Sequence, residues 1–162
     1  MKNEKGFSLI ELLIVVAIIG IIAAIAIPNL LKSRQAANEA SAIGSVRTLG
    51  TSQATYQSTR GKGKDFAADL AALQADGAID SALGGGTKSG FTFLCNGTAS
   101  TTLGAPSFFD TSAAPQSTGN FGTGNRYFYS NETYVVYQDT AAIGVPAGPA
   151  ARVPAAPATP LQ

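Results

Sequence analysis

The first third of the chain is dominated by an uninterrupted apolar run. No polar side chain occurs between Leu12 and Ile27. At about 1.5 Å per residue, a helix from Phe7 to Leu31 is long enough to cross a hydrocarbon core of about 30 Å. This pattern predicts a helix that can hold the chain in a membrane.

A different periodicity follows the apolar run. Small and apolar residues recur every three or four positions, with one longer gap at Gln53, and this spacing predicts one stripe on an amphipathic helix. The stripe consists of Ala36, Ala40, Ile43, Val46, Leu49 and Tyr56, whereas Lys32, Arg34, Gln35, Glu39 and Arg47 are expected largely outside it. One continuous helix over residues 7–59 is predicted, with a stop in the glycine-containing segment 60–63.

Two residues interrupt the regularity of this helix. Pro28 lacks the N–H group that would bond to the Ala24 carbonyl, and Gly20 lies upstream of it. Together they predict a helix break. It is either a tolerated kink in an ordinary anchor or a stretch that unwinds when the helix packs into an assembly.

Residues 60–146 predict a small head with an antiparallel sheet. Asp65 is expected to cap a short helix ending near Gly77, and a glycine-rich loop is expected over 81–90. Aromatic and β-branched residues predict strands over 91–95, 105–110, 125–129 and 133–138, the last two joined by a turn with Asn131 in the left-handed conformation. The predicted fold class is α+β: a long N-terminal helix, transmembrane in its first half and amphipathic in its second, packed on a small antiparallel sheet.

The composition changes again after Asp139, where Ala, Gly and Pro dominate. Such a segment buries and pairs its backbone poorly, so residues 147–162 are predicted to form an extended or disordered tail that folding does not need. A surface ligand or a modified segment is the alternative, with Thr159 as the obvious hydroxyl for glycosylation.

Charge and composition exclude several classes of function. The formal net charge is +1, which gives no global electrostatic attraction for nucleic acid. The basic cluster at residues 60–64 is interpreted as a solvated loop, with a DNA or anion contact as the alternative. The chain has no histidine and one cysteine, Cys95, which lies in an apolar strand and is expected to be buried and inert. The acidic residues show no metal-ligand cluster. We therefore predict no enzymatic activity, no cofactor and no metal.

Glu11 is chemically the most unusual position. An ionisable group within a bilayer costs roughly 2.5 to 3.5 kcal/mol on insertion scales, so such a residue calls for a partner. A positive α-amine would arise at Phe7 if the chain were cut after Gly6. Two other interpretations remain open: Ser8 and Glu11 have capping-box spacing, and the small residues near Ala26 offer a site for ordinary signal cleavage.

The residues around Glu11 resemble the N-terminus of type IV pilins and of type II secretion pseudopilins. The family pattern is a short charged leader ending in Gly, then Phe, then Glu four residues later, then an apolar run with a helix-breaking Gly and Pro. Matching positions in this chain are Lys2, Lys5, Gly6, Phe7, Glu11, Gly20 and Pro28. The resemblance covers about a third of the chain, and the single cysteine departs from the many pilins whose C-terminal region is held by a disulfide.

The resemblance implies a route of processing and assembly. A prepilin peptidase would cut after Gly6, removing leader residues 1–6, and would methylate the Phe7 amine. The precursor would lie in the inner membrane as a single-pass protein, and residues 7–31 would later form the core of a homo-oligomeric helical filament at the cell surface. Glu11 would pair with the Phe7 amine of a neighbouring subunit. The implied partners also include an inner-membrane platform, an ATPase and, in a Gram-negative cell, a secretin.

Three functions remain open on the sequence. A structural subunit of a type IV pilus is favoured, because an acidic calcium cluster of the kind some pseudopilins carry is not evident. A pseudopilin of a type II secretion system is the first alternative. A membrane-anchored binding domain is the second, and it would require a convergent polar site in the head, which the sequence does not show.

Overall fold

The structure, a computed structural model, describes residues 6–98, 107–143, 154 and 158–161. A long helix is followed by an antiparallel sheet, which confirms the α+β prediction. The helices are α1 (Leu9–Thr59), α2 (Leu70–Ala75) and α3 (Ser81–Gly84). The strands are β1 (Thr87–Lys88), β2 (Phe91–Thr98), β3 (Phe108–Pro115), β4 (Tyr127–Asn131), β5 (Tyr137–Asp139) and β6 (Thr159–Pro160). Leader residues 1–5 and predicted strand residues 105–106 lie outside the described part.

Helix α1 contains 51 residues and is therefore about 77 Å long. It passes through Gly20 and Pro28 without interruption, so the predicted helix break is absent from the single chain. The helix ends before the predicted stop segment, where Lys62 and Gly63 adopt positive φ angles of 53° and 75°. The predicted end of the helix is confirmed.

The sheet is a meander in which every strand pairs antiparallel with the next one in the chain. Strands β2 and β3 form the longest ladder, from the pair Phe91 and Pro115 to the pair Thr98 and Phe108. One face of the sheet packs against the second half of α1. The core contains Ala42, Val46, Leu49, Ala67, Leu70, Leu73, Ile79, Leu83, Phe91, Phe93, Cys95, Ala113, Phe128 and Val136.

The buried face of α1 is more polar than the predicted stripe. Ala36 and Ala40 are exposed, whereas Gln35, Glu39 and Gln53 are buried. The reason is that these three side chains hydrogen-bond to backbone groups of the head. Buried backbone groups without a ladder partner need such bonds, and this need outweighs the preference for apolar residues.

The connector between α1 and the sheet also differs from its prediction. Asp69, not Asp65, caps α2 by accepting the N–H of Ala72 at 2.8 Å. The predicted glycine-rich loop contains α3, capped by Asp80 through the N–H of Leu83 at 2.7 Å, and then β1. Both helices therefore begin at an aspartate whose side chain accepts a backbone N–H from the first turn.

The last predicted hairpin is present, but its turn was wrongly placed. Asn131 belongs to β4, is fully buried, and accepts the N–H of Thr133 at 3.0 Å through its side chain. The left-handed residue is Tyr134, with φ of 58°, instead of Asn131. The side chain of Asn131 closes the turn from the strand end, which displaces the turn toward β5.

The prediction of an unpaired tail is wrong for its described end. Strand β6 pairs with β5 through Thr159 and Pro160. Leu161 donates its N–H to the carbonyl of Val136 at 2.7 Å and packs against the core, and Pro154 is buried. Proline is compatible with this position because β6 contributes an edge strand, where one missing N–H is tolerated. The remaining residues from 147 onward lie outside the described part.

Candidate functional site

The N-terminal cluster consists of Gly6, Phe7, Ser8 and Glu11 at the start of α1. Ser8 is extended, with φ of −73° and ψ of 143°, and it precedes the first helical residue. Its N–H donates to Glu11 Oε2 at 2.8 Å, so in the single chain Glu11 acts as a cap. The helix dipole adds a favourable interaction with the carboxylate.

The cluster is open to other molecules. Phe7 is 88% exposed, Glu11 is exposed, and the ion pairs found within the described part of the chain do not include Glu11. A side chain added at Gly6 would meet no atom within 4 Å. A bulky residue at position 6 would therefore not disturb this protein's own packing.

The stem, defined as residues 7–31, is apolar on all sides. Its large apolar side chains from Phe7 to Leu30 are 48–88% exposed. Helix α1 is long and apolar enough to cross a membrane. A helix that is hydrophobic all round is stable only within lipid or when packed against other apolar surfaces. Its own head does not cover it.

The two predicted helix-break residues have no evident role in the single chain. Gly20 has nothing within 4 Å of an added Cβ, so close packing does not require glycine there. Pro28 removes one helical hydrogen bond and yet lies inside continuous helix. Both residues weaken the stem locally without benefiting the isolated fold.

Two other predicted features have structural roles. Arg60 of the basic cluster donates to Asp76 at 2.7 Å, while Lys62 and Lys64 are exposed, as in a solvated loop. Burial raises the pKa of the Cys95 thiol to about 11, although a hydrogen bond from Gln53 partly opposes this. The thiol therefore stays protonated and unreactive near neutral pH. The described residues contain no group of His, Cys, Asp or Glu side chains that could hold a metal ion.

The structure contains a set of contacts between α1 and the β3–β4 connection that the sequence did not predict. Gln35 Nε2 donates to the carbonyls of Gly119 and Gly122 at 2.6 and 3.0 Å. Glu39 accepts N–H groups from Asn125 and Arg126 at 2.8 and 3.2 Å, and it also forms an ion pair of 2.7 Å with the Arg126 guanidinium. The sequence feature that could have indicated these contacts is the i, i+4 spacing of Gln35 and Glu39, which places both side chains on one helix face.

The N-terminal residues identify a class of protein. Residues 1–27 match the family model described as the prokaryotic N-terminal methylation motif. This match confirms the resemblance based on Gly6, Phe7 and Glu11, so the N-terminal segment is similar to that of type IV prepilins and pseudopilins.

Similar proteins are known from several bacteria. The chain is 46% identical over 68 residues to the type IV major pilin protein PilA of Myxococcus xanthus, covering 42% of this chain and 31% of that protein. It is 67% identical over 39 residues to the type IV wide pilus major component PilA4 of Thermus thermophilus, covering 24% and 30%. It is 37% identical over 49 residues to the type II secretion system core protein G of Vibrio cholerae, covering 30% and 34%.

These matches span about a third of the length of each relative. No solved structure matches the chain significantly.

Proposed function

We propose that the protein is a structural subunit of a type IV pilus filament and has no enzymatic role. The observation that supports this proposal is the stem, whose apolar side chains are exposed on all sides and whose start contains the methylation motif. Such a helix is suited to lipid before assembly and to a shared protein core afterwards. Similarity to major pilins supports this assignment.

The proposed life cycle begins with a precursor anchored in the inner membrane. A prepilin peptidase cuts between Gly6 and Phe7 and methylates the new Phe7 amine. An inner-membrane platform and an ATPase then move the subunit into the filament, which passes through a secretin in a Gram-negative cell. The mature subunit lies at the cell surface in a helical homo-oligomer.

Glu11 is proposed to select and align each entering subunit. In an apolar filament core its carboxylate needs a positive partner, and the Phe7 amine of a neighbour supplies one at a similar depth. The capping bond from Ser8 uses Oε2, and a carboxylate can accept further hydrogen bonds. Capping within one subunit and pairing between subunits are therefore compatible.

A pseudopilin of a type II secretion system is the second candidate. Similarity to core protein G of the Vibrio cholerae system favours it. Neighbouring genes for a retraction motor would support the pilus, and genes for a secretin-linked export system would support the pseudopilin.

The test replaces Glu11 in the only copy of the subunit. Glu11→Ala removes both charge and cap, whereas Glu11→Gln keeps an oxygen that can accept the Ser8 N–H but lacks the charge. We expect normal membrane insertion for both variants and at least about a tenfold loss of surface filaments, because an unpaired buried amine costs several kcal/mol. Electron microscopy counts the filaments, and immunoblotting of membranes measures insertion.

The Gln variant separates the two roles of Glu11. Filaments of normal number and subunit spacing with Glu11→Gln, together with a loss with Glu11→Ala, would show that capping alone matters. Mass spectrometry of wild-type filaments tests processing: a methylated chain starting at Phe7 is expected. A chain retaining Met1, or one that starts after Ala26, would contradict the pilin assignment.

A further inference from the structure

The latch loop, defined as residues 117–126, is fixed to α1 next to the stem. Beside the bonds from Gln35 and Glu39, Asn38 Nδ2 donates to the Thr123 carbonyl at 3.0 Å. Arg126 also donates to Gln138 Oε1 at 2.6 Å, which ties the end of the loop to β5. The loop is thus held by side chains from a helix and from a strand.

The interior of the latch loop is also closely fitted. Ser117 and Thr123 exchange backbone and side-chain hydrogen bonds, and the N–H of Gly119 donates to Asn125 at 2.9 Å. A side chain at Gly124 would come within 2.6 Å of the Phe91 ring, so only glycine fits this approach. The loop therefore holds a defined conformation.

The tip of this fixed loop exposes a large apolar side chain. Phe121 is 83% exposed, although exposing a phenylalanine gains nothing for the fold. Its ring forms one wall of a cleft of about 640 Å³, opposite Ile27, Pro28 and Leu31 of α1. An aromatic side chain on a fixed loop beside an apolar cleft is typical of an anchor in a protein interface, since the cost of ordering the loop backbone is already met.

The surroundings of the cleft indicate its occupant. Its apolar wall is the end of the stem, so the surface that the proposed filament buries continues directly into the cleft. Lys32 is the charged residue among those lining the cleft, and its long side chain can direct its charge toward solvent. The stem from Leu12 to Ile27 is uncharged and can enter without an unpaired charge.

We propose that the cleft between Phe121 and the end of the stem receives the stem of a second copy of this chain. This inference rests on the proposed filament function. Phe121 then packs on the aliphatic side chains of the neighbour's stem, and the latch loop sets how closely that stem approaches the head.

The first test changes Phe121 in the only copy of the subunit. We expect Phe121→Ser to lower the ratio of filament to membrane-bound subunit by at least about tenfold, because burying a phenylalanine changes binding by about that factor or more. Phe121→Leu keeps a large apolar side chain and should therefore retain most of the wild-type ratio. Leu94→Ser is the matched control: Leu94 is 58% exposed on β2, outside the cleft, and its loss should change the ratio less than about twofold.

The second test identifies the occupant by cross-linking in filaments. Two tagged copies, both with Cys95→Ala, are co-expressed: one carries Phe121→Cys and the other a single cysteine placed in turn at each position from Leu12 to Ile27. A disulfide requires Cα atoms within about 7 Å, and the two tags reveal bonds between different subunits. We expect mixed dimers at positions spaced three or four apart.

The outcomes separate this inference from the function on which it rests. Wild-type filaments together with full assembly of Phe121→Ser, or with no mixed dimer at any stem position, would overturn the docking inference alone. Absence of filaments from the wild-type protein would overturn the proposed function, and the docking inference with it.

Discussion

Gln53 joins three parts of the head through one side chain. Its Oε1 accepts the N–H of Ala67 at 2.8 Å and its Nε2 donates to the carbonyl of the same residue at 2.9 Å. Nε2 also lies 3.0 Å from the Cys95 sulfur. The fully buried amide therefore replaces the strand partner that the connector lacks. It fixes the connector to α1 at the centre of the core.

Replacing Gln53 should be far more costly than replacing a nearby glutamine. Gln53→Ala leaves the buried N–H and carbonyl of Ala67 without these partners, and we expect a loss of about 2 to 4 kcal/mol in the free energy of unfolding. Gln57→Ala is the control, since its side-chain bond is exposed, and should cost less than about 0.5 kcal/mol. Urea denaturation of the full-length protein in detergent measures both. Equal losses would contradict this role.

The sequence supported the prediction of α1 but not the identity of its polar contacts. Periodicity assigns burial to apolar residues, and it therefore placed Ala36 on the buried face and Gln35 and Glu39 elsewhere. The bonds of these polar residues are to backbone groups more than 80 positions away in the chain. Local pattern holds no information about such partners. The residues around Glu11 were recognisable because their spacing lies within one short segment.

Strand β6 completes the sheet with two residues. It pairs with β5, and the N–H of Leu161 extends the contact to Val136. Strand β5 itself has three residues. Without β6, one of its edges would have no strand partner. The pairing covers an edge that is otherwise a site for association with other chains. This segment thus has a structural role despite its composition.

Removing β6 tests whether it supports the head. Truncation after Ala158 removes the strand and Leu161, and we expect a loss of about 2 kcal/mol in the free energy of unfolding from one buried apolar side chain and its hydrogen bond. Leu161→Ala should account for about half of this loss. Thermal or urea unfolding of the full chain and of both variants measures the difference. An unchanged free energy of unfolding would instead support the prediction from composition that the tail is dispensable for folding.

The shortest strands were the ones that the sequence did not predict, but length is not the whole reason: β3 has eight residues and was predicted at 105–110 instead of Phe108–Pro115. The long aromatic segment of β2 and the hairpin of β4 and β5 carried a sufficient signal of β-branched and aromatic residues. Strands β1 and β6 have two residues each, too few for any alternation to be recognised. Their pairing depends on neighbours that are already in place, which local propensity does not describe.

The two parts of the molecule differ in where their apolar side chains are buried. The head and the second half of α1 enclose a common core, whereas the stem exposes its apolar side chains along its length. The head together with the second half of α1 is therefore suited to fold in water, while the stem needs lipid or other apolar surfaces. The residues that weaken the stem, Gly20 and Pro28, lie in the part that changes surroundings during the proposed assembly.

Assembly should loosen the stem around Pro28. We expect backbone amides between Gly20 and Pro28 to exchange hydrogen at least about tenfold faster in filaments than in detergent-solubilised subunits, where α1 is continuous. Pro28→Ala restores the missing donor and should reduce this difference. Hydrogen exchange with mass spectrometry on both states measures it, and amides of β2 serve as the internal control. Equal protection in both states would favour the tolerated kink.

The position of the latch loop has a mechanical consequence. In the proposed filament, tension would pass from stem to stem, and each head would follow through its attachment to α1. The bonds of Gln35 and Glu39 lie at the end of that attachment nearest the stem, so they are loaded first when the head meets drag or an attached surface. Hydrogen bonds that are strained at the same time share the applied force, whereas bonds strained one after another break singly. In the proposed filament, the latch loop would therefore divide such a load among several bonds at the junction of the head and the stem.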